Sequence, residues 1–444
     1  MSSTTTGDRP HQQPEHGAGD PGHARLGPAV GAAVPGRRKP GNALRALRNR
    51  EFALFWSGQA ISQTGTWMQQ FAQGWVVTTL AASAFALASV NFAASIPILI
   101  MTPFGGAAAD RMERRRILLV TQSVLAVLAV LMGVLIQAGH LRLWHVWSIA
   151  ALLGLATAYD LPAYQSFFPQ LVEKEDLHQA IALNQATFHG SRIIGPAIAS
   201  WFVARWGMAA AFFANGASFL AVIGSLLMIR PRAAKGGATA HMRFSIAEGV
   251  GYVRERPHIL ALLGLTATTT MFVFPNAATL MPFYAKHVLQ IGPGGLGLMM
   301  AFSGAGAFLG AIFLLGLPRG FRIGWITTAL FVIALTLSAL AWSRYLALSV
   351  AAVAILSFGI SSTLGVASTM VQESVPDALR GRVMSLYSLA FTGVAPFAAL
   401  AIARLADVFG MRRELLCAAV LYAVCGVLLI PMLRRTNRES PDEP

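Results

Sequence analysis

From Phe52 to Leu433 the chain is a succession of apolar runs separated by short polar breaks. Nothing else in it restricts the fold as much. A membrane-crossing helix takes roughly 20 apolar residues, and in hydrocarbon the backbone groups of such a segment must be satisfied within the segment itself. Runs of this length therefore read as spanning helices. They fall near 52–80, 85–109, 116–138, 143–168, 177–204 and 209–229, and again near 258–286, 294–317, 322–341, 345–370, 381–404 and 413–433. The expectation is an all-α membrane protein with twelve transmembrane helices in two pseudo-symmetric six-helix bundles. Their expected extents are 45–229 and 258–433, with a cytoplasmic linker over 230–257 and tails over 1–44 and 434–444.

Composition agrees with this reading. Only 12% of the 444 residues are charged, against about a quarter in a soluble domain, too few to coat a globule of this size. The formal net charge of +15 does not point to nucleic acid, because the basic residues lie in short clusters between apolar runs. With the N-terminus inside, only Arg142, Arg205, Lys286, Arg344, Arg404, Arg412 and Arg413 fall outside and Arg192 falls within a span. The remaining 26 of the 34 Lys and Arg face the cytoplasm. That asymmetry places both termini in the cytoplasm of an inner-membrane protein. No stretch near Met1 has the form of a cleaved signal peptide, the first apolar run beginning at Phe52.

The N-terminal tail is rich in Pro, Gly, His and Ala without periodicity and reads as disordered. His11, His16 and His23 in it are too scattered to argue for a metal. Cys417 and Cys425, eight residues apart in one apolar run, are about 12 Å apart along a helix, beyond the reach of a disulfide. In the linker, Phe244, Ala247, Val250 and Val253 recur at helical spacing among Arg243, Glu248, Arg254, Glu255 and Arg256, which predicts a short amphipathic helix on the membrane surface. The two halves echo one another. "LVEKEDLHQAIAL" enters the fifth run with Gly195-Pro196 further along, and about 200 residues later "SVPDALRGRVMSL" enters the eleventh with Ala395-Pro396 further along. Weak symmetry of this kind is what transporter repeats leave.

The most specific local pattern is "GGAAADRMERRR", Gly105 to Arg116, at the inner end of the second run. Short cytoplasmic turns attract arginines, but that does not explain Asp110 at the very end of an apolar run. The chain here resembles the major facilitator superfamily, whose loop between helices 2 and 3 carries G-x-x-x-D-R-x-G-R-R. The match falls on Gly106, Asp110, Arg111, Arg114 and Arg115, with Glu113 where the family has its second glycine. "FALFWSGQAISQTGTWMQQFAQGWVV", "AYDLPAYQSFFPQLV", "ALNQATFHGSRIIGPAIA" and "VPDALRGRVMSLYSLAFTGVAPF" are similar to the enterobactin-exporter-type, or transmembrane secretion effector, branch. The resemblance implies a conformational latch in which Asp110 faces the start of helix 11 near Arg380 and Arg382, and Arg114 reaches Asp160. The alternative for Asp160 is a merely polar helix end.

Arg192 is the one basic residue near mid-membrane, and His189 lies one turn before it. A charge at that depth costs at least about 2.5–3.5 kcal/mol, so it needs water or a partner. Either it lines a cavity for an anionic substrate or a coupling proton, or it pairs structurally with Asp160. Gln59, Gln63, Thr66 and Gln70 form a polar stripe on the first helix, which should face a cavity rather than lipid. Relatives often carry an acid at the position of Thr66, so the proton carrier is left unassigned.

Neither a G-x-x-x-x-G-K-[ST] loop nor an H-E-x-x-H pair occurs, which disfavours an ATP-driven pump and a membrane zinc enzyme. The reading is a secondary active transporter, not an enzyme, working by alternating access without cofactor, metal or catalytic residue. It is expected to act as a monomer, exporting a small amphipathic molecule of the drug or siderophore class in exchange for protons. Import of a small solute by proton symport is the alternative.

Overall fold

The computed structural model describes residues 45–229 and 246–434. Among them are helices and turns and no strand. In the first half of the chain α1 (Arg50–Leu80), α2 (Ala84–Arg111), α3 (Arg114–Gln137), α4 (Leu143–Phe167), α5 (Leu177–Trp206) and α6 (Met208–Met228) follow one another through short connections, the longest, 168–176, holding a 3-10 turn at Phe168–Leu171. After α7 (Ile246–Arg254) come α8 (Pro257–Thr268) and three π-helical segments, Thr269–Val273, Pro275–Thr279 and Tyr284–Val288, with α9 (Met281–Phe283) between the last two. The chain ends in α10 (Pro293–Leu315), α11 (Arg322–Trp342), α12 (Leu346–Ser374), α13 (Asp377–Ser388), α14 (Ala395–Phe409) and α15 (Met411–Arg434).

Nine helices among the described residues are long and apolar enough to cross a membrane, and Pro257–Val273 is a shorter apolar helix. The helices α1 and α5 are just as long, 31 and 30 residues, but they carry the glutamines, His189 and Arg192 and are less apolar. Outward-facing apolar side chains such as Val127, Leu220, Leu335 and Leu428 are well exposed, as on a surface that meets lipid rather than water.

Local chemistry explains where the helices stop. Asn49 caps α1, its Oδ1 accepting from the amides of Glu51 (3.0 Å) and Phe52 (3.4 Å), while its Nδ2 donates to the Leu171 carbonyl (2.7 Å). Ser83 caps α2 through the Ala86 amide at 3.1 Å. The turns from α5 to α6 and from α14 to α15 consist of one glycine each, Gly207 and Gly410, at φ +82° and +85°. A side chain is strained in that region, and a one-residue reversal leaves no other choice. Both sit in an aromatic-Gly-Met triplet, Trp206-Gly207-Met208 and Phe409-Gly410-Met411, a second echo between the halves.

Packing follows the same pattern in each half. In the first, α2 packs on α4, α6 on α1 and α3, and α5 on α1. In the second, α10 packs on α12, α11 on α12 and α15, and α8 on α15. Between halves, α5 meets α10 and α2 meets α14. The linker helix α7, expected on the membrane surface, packs against its neighbours. Val253 is buried, Tyr252 Oη donates to the Ser374 carbonyl (3.4 Å), and Gly249 lies against Arg382, so α7 is docked on α12 and α13 with Val250 left exposed. Arg243 and Phe244 lie outside the described residues, as do the tails and residues 230–245.

Candidate functional site

Three levels along the helices hold the polar groups that can matter for transport. At the level of the α2–α3 turn, Asp110 is exposed and makes no hydrogen bond or ion pair among the described residues. Arg114 Nε donates back to the Ala109 carbonyl at 3.3 Å. Arg115 donates through Nε to the Leu226 carbonyl (2.6 Å) and through Nη2 to the Leu227 carbonyl (3.2 Å). A cation on the open carbonyls of a helix C-terminus is well placed, so Arg115 holds the end of α6. Arg111 is exposed. Gly106 of the motif packs closely on nothing in this conformation, since a methyl group there would meet nothing within 4 Å. The close approach is at Gly105, where a methyl group would collide with the Ala158 carbonyl of α4.

The partners expected for this turn are engaged elsewhere in this conformation. Arg380 pairs with Asp377 and donates to the Gln372 carbonyl (3.3 Å), and Arg382 pairs with Glu248 of α7. Asp160 is not with Arg114: its Oδ1 accepts from Thr121 Oγ1 (2.6 Å) and Gln122 Nε2 (3.0 Å) on α3.

At mid-height, Arg192 of α5 does not pair with Asp160 either. Its guanidinium lies over the Trp67 ring of α1 at 5.7 Å, and Nη2 reaches Ser303 Oγ of α10 at 3.4 Å. Ser303 in turn shares a hydrogen bond with Ser357 of α12 (2.8 Å). The ring of His189 is 5.6 Å from that of Phe308 on α10, and its buried Nδ1 has no partner. Gly304 of α10 lies against the Arg192 backbone. Arg192 thus sits where the two halves meet, with no carboxylate paired to it among the described residues. On α1, Gln59, Gln63 and Thr66 are half-buried and Gln70 is exposed. Thr66 Oγ1 only returns to the Ser62 carbonyl (3.0 Å). The buried glutamine is Gln69, whose Oε1 accepts from Asn215 of α6 at 2.7 Å, a packing role outside the expected stripe.

The third level, at the α1–α2 turn, was not anticipated. Asp407 of α14 crosses to the start of α2: its Oδ2 accepts from Ser83 Oγ (2.6 Å) and the Phe85 amide (3.1 Å), and its Oδ1 from the Ala84 amide (2.7 Å). A carboxylate on free helix N-terminal amides is a strong, charge-assisted contact. Beside it, Lys286 Nζ donates to Thr79 Oγ1 (2.7 Å) and the Thr78 carbonyl (3.2 Å), 5.6 Å from the Trp75 ring centroid. Phe92 and Phe397 meet edge to face at 5.3 Å. The available signal was Asp407 itself, an acid three residues before the Gly410 turn.

Residues 42–442 match the family model described as transmembrane secretion effector. Macrolide efflux protein A of Streptococcus pyogenes is 25% identical over 396 residues, covering 87% of this chain and 97% of that protein. The staphyloferrin A transporter of Staphylococcus aureus is 25% identical over 368 residues, covering 81% and 90%. Among solved structures, a bacterial homologue of the iron transporter ferroportin, in an inward-facing state, superposes with a TM-score of 0.67 at 16% identity, covering 86% of this chain and 98% of that one. These proteins are membrane transporters, not enzymes.

Proposed function

Because the chain belongs to the transmembrane secretion effector family of major facilitator transporters, we propose that it exports a small amphipathic molecule across the inner membrane by alternating access, in exchange for protons. The observation that carries this reading is the contrast between the two ends. Asp407 and Lys286 bridge the halves at one, and no hydrogen bond or ion pair among the described residues joins Asp110 to Arg380 or Arg382 at the other. A carrier caught open on one side has this form.

The nine apolar helices, with α1, α5 and the stretch from α8 through the π-helical segments, would make twelve spans. They form two six-helix bundles over 45–229 and 258–433, with both termini and the 230–257 linker in the cytoplasm, the side favoured by Lys and Arg. The described conformation is then open to the cytoplasm. When it reverses, Asp110, Arg111 and Arg114 close on the start of α13 near Arg380 and Arg382, and Gly106 leaves room for that approach. Between the halves, Arg192, His189, Trp67, Ser303 and the glutamine face of α1 form the central site. The guanidinium donates to substrate oxygens there, and the rings cover its apolar part. The protein works as a monomer, with no cofactor. Relatives that move a macrolide and staphyloferrin A support a drug or siderophore as cargo.

The test is transport in proteoliposomes under an imposed pH gradient, with a radiolabelled macrolide as probe. Uptake into vesicles that are acidic inside, against an outward flow of protons, supports antiport. Movement in the same direction as protons would replace export by import. Arg192→Ala is expected to remove transport while Gln59→Ala only weakens it.

A further inference from the structure

Glu414, in the first turn of α15, is 2% exposed and forms no ion pair among the described residues. Its one polar side-chain contact is with Asn276, 7% exposed, whose Nδ2 donates both to Glu414 Oε1 (3.1 Å) and to the Phe272 carbonyl (3.2 Å). Both amide hydrogens are thereby used. Glu414 Oε2 and Asn276 Oδ1 are left buried without any partner. If Glu414 is ionised, both orphans are acceptors and neither has a donor, a costly arrangement in a low-dielectric interior. One proton on the carboxyl turns one of the two acceptors into a donor.

The backbone around Asn276 is irregular. It lies in the second of three π-helical segments between Thr269 and Val288, an uncommon geometry that concentrates at functional sites. Pro275 and Pro282 interrupt the same stretch. Its far end makes contacts across the halves, Pro282 against Gly74 and Lys286 on Thr78 and Thr79. Asn276 is thus joined through its own backbone to the bridged end.

We propose that Glu414 is the proton-binding site of the transporter, taking up and releasing one proton as the π-helical stretch containing Asn276 changes shape and the bridged end opens and closes. This rests on the proton-coupled reading above and adds the residue that reading leaves unnamed. Other ionisable groups on the elements packed against it are occupied, turned away or, like His258 in the first turn of α8, at the far end of their helix. On α15, Arg412 and Arg413 are exposed and Tyr422 meets Thr269 Oγ1 at 3.3 Å. On the π-helical stretch, Tyr284 donates to the Leu340 carbonyl (2.7 Å), Lys286 is bound to Thr79, and His287 lies by the Phe283 ring. On α14, Asp407 is held by α2 and Arg404 is exposed. The stretch of α11 from Ile323 to Trp342 holds no ionisable side chain.

Difference infrared spectra of the full-length protein in lipid nanodiscs, taken between acid and alkaline buffers, read the carboxyl directly. The expected result is a protonated-carboxyl C=O band that titrates in the wild type, disappears in E414Q and persists in D160N. A spectrum unchanged by E414Q overturns the assignment, whatever that variant does in transport. In proteoliposomes, macrolide movement should depend on the pH gradient in the wild type and be independent of it in E414Q. Equal dependence in both overturns the role of Glu414 alone. A wild type that moves macrolide with no response to the gradient overturns proton coupling itself, and the infrared band still reports whether Glu414 titrates.

Discussion

The two ends of the helix assembly use their charged groups oppositely. At the α1–α2 turn, Asp407 and Lys286 reach across to the other half of the chain and bind free amides, a carbonyl and two hydroxyls. At the α2–α3 turn, Arg114 and Arg115 bind carbonyls of their own half, Arg380 pairs three residues away, and Arg382 turns to the linker helix. Charge alone therefore does not hold a transporter shut. What counts is whether a charge finds its partner across the divide, and a carrier can be biased by changing such a contact at one end only.

The largest effect should come from Asp407. Hydrogen bonds to a charged group contribute about 1.5–3 kcal/mol, so D407N should shift the balance between the two conformations about tenfold to a hundredfold toward the one open at the α1–α2 turn. Spin labels at Ala82→Cys and Phe409→Cys, both exposed positions, with Cys417 and Cys425 replaced by Ser, would report it as a longer distance between the labels. An unchanged distance distribution would mean the bridge does not set the conformation.

Next in size is the contrast between Gly105 and Gly106. A side chain at Gly105 collides with the Ala158 backbone in this conformation, and overpacking of this kind costs about 1–3 kcal/mol. Gly105→Leu should therefore lower the thermal midpoint of the purified protein. A Cβ at Gly106 meets nothing within 4 Å here, so Gly106→Leu should leave the midpoint unchanged. It should nevertheless abolish transport if the α2–α3 end must close. Full transport by Gly106→Leu would remove the latch from the mechanism.

These neighbours also mark what the sequence could convey. Both glycines, Asp110 and the arginines were visible as a motif, because a motif is local and its residues lie within one turn. Which glycine packs was not visible, since that depends on the rotation of α2 against α4. The apolar runs gave the helical membrane class for the same local reason, and the place of Arg192 midway along its helix followed from counting along one run. Its partner did not. Pairing with Asp160 assumed that consecutive helices are neighbours, whereas α5 packs on α1 and α10, and α4 on α2 and α3. Asp407 and Ser83 are 324 residues apart, and Glu414 and Asn276 are 138 apart. Each acid sits near the end of an apolar run, where it passes for an ordinary boundary residue. Their meaning lies in contacts that only tertiary packing creates.

Lys286 should matter less than Asp407. Its ammonium binds a hydroxyl and a carbonyl without a carboxylate, so Lys286→Met is expected to shift the same label distance in the same direction by no more than about tenfold in population, near the low end of the range for such bonds. A shift equal to that of D407N would mean the two contacts act as one cooperative unit, which the double variant would show as a non-additive change.

The smallest effect is expected at the parted end. The Arg382–Glu248 pair joins α7 to α13, with side chains 27% and 57% exposed, and exposed pairs contribute about 0–1 kcal/mol. Arg382→Gln should leave the label distances at Ala82 and Phe409 where they are. Its consequence belongs to the other conformation, in which Arg382 would have to leave Glu248 to meet Asp110. Glu248→Gln removes the competitor and Asp110→Asn removes the destination. If the pair is an alternative partner for the latch, Glu248→Gln raises the fraction closed at the α2–α3 end by up to about fivefold, and adding Asp110→Asn cancels that gain. Were the gain to persist in the double variant, Arg382 would not be the group that Asp110 receives, leaving Arg380, now held by Asp377, as the remaining partner on α13.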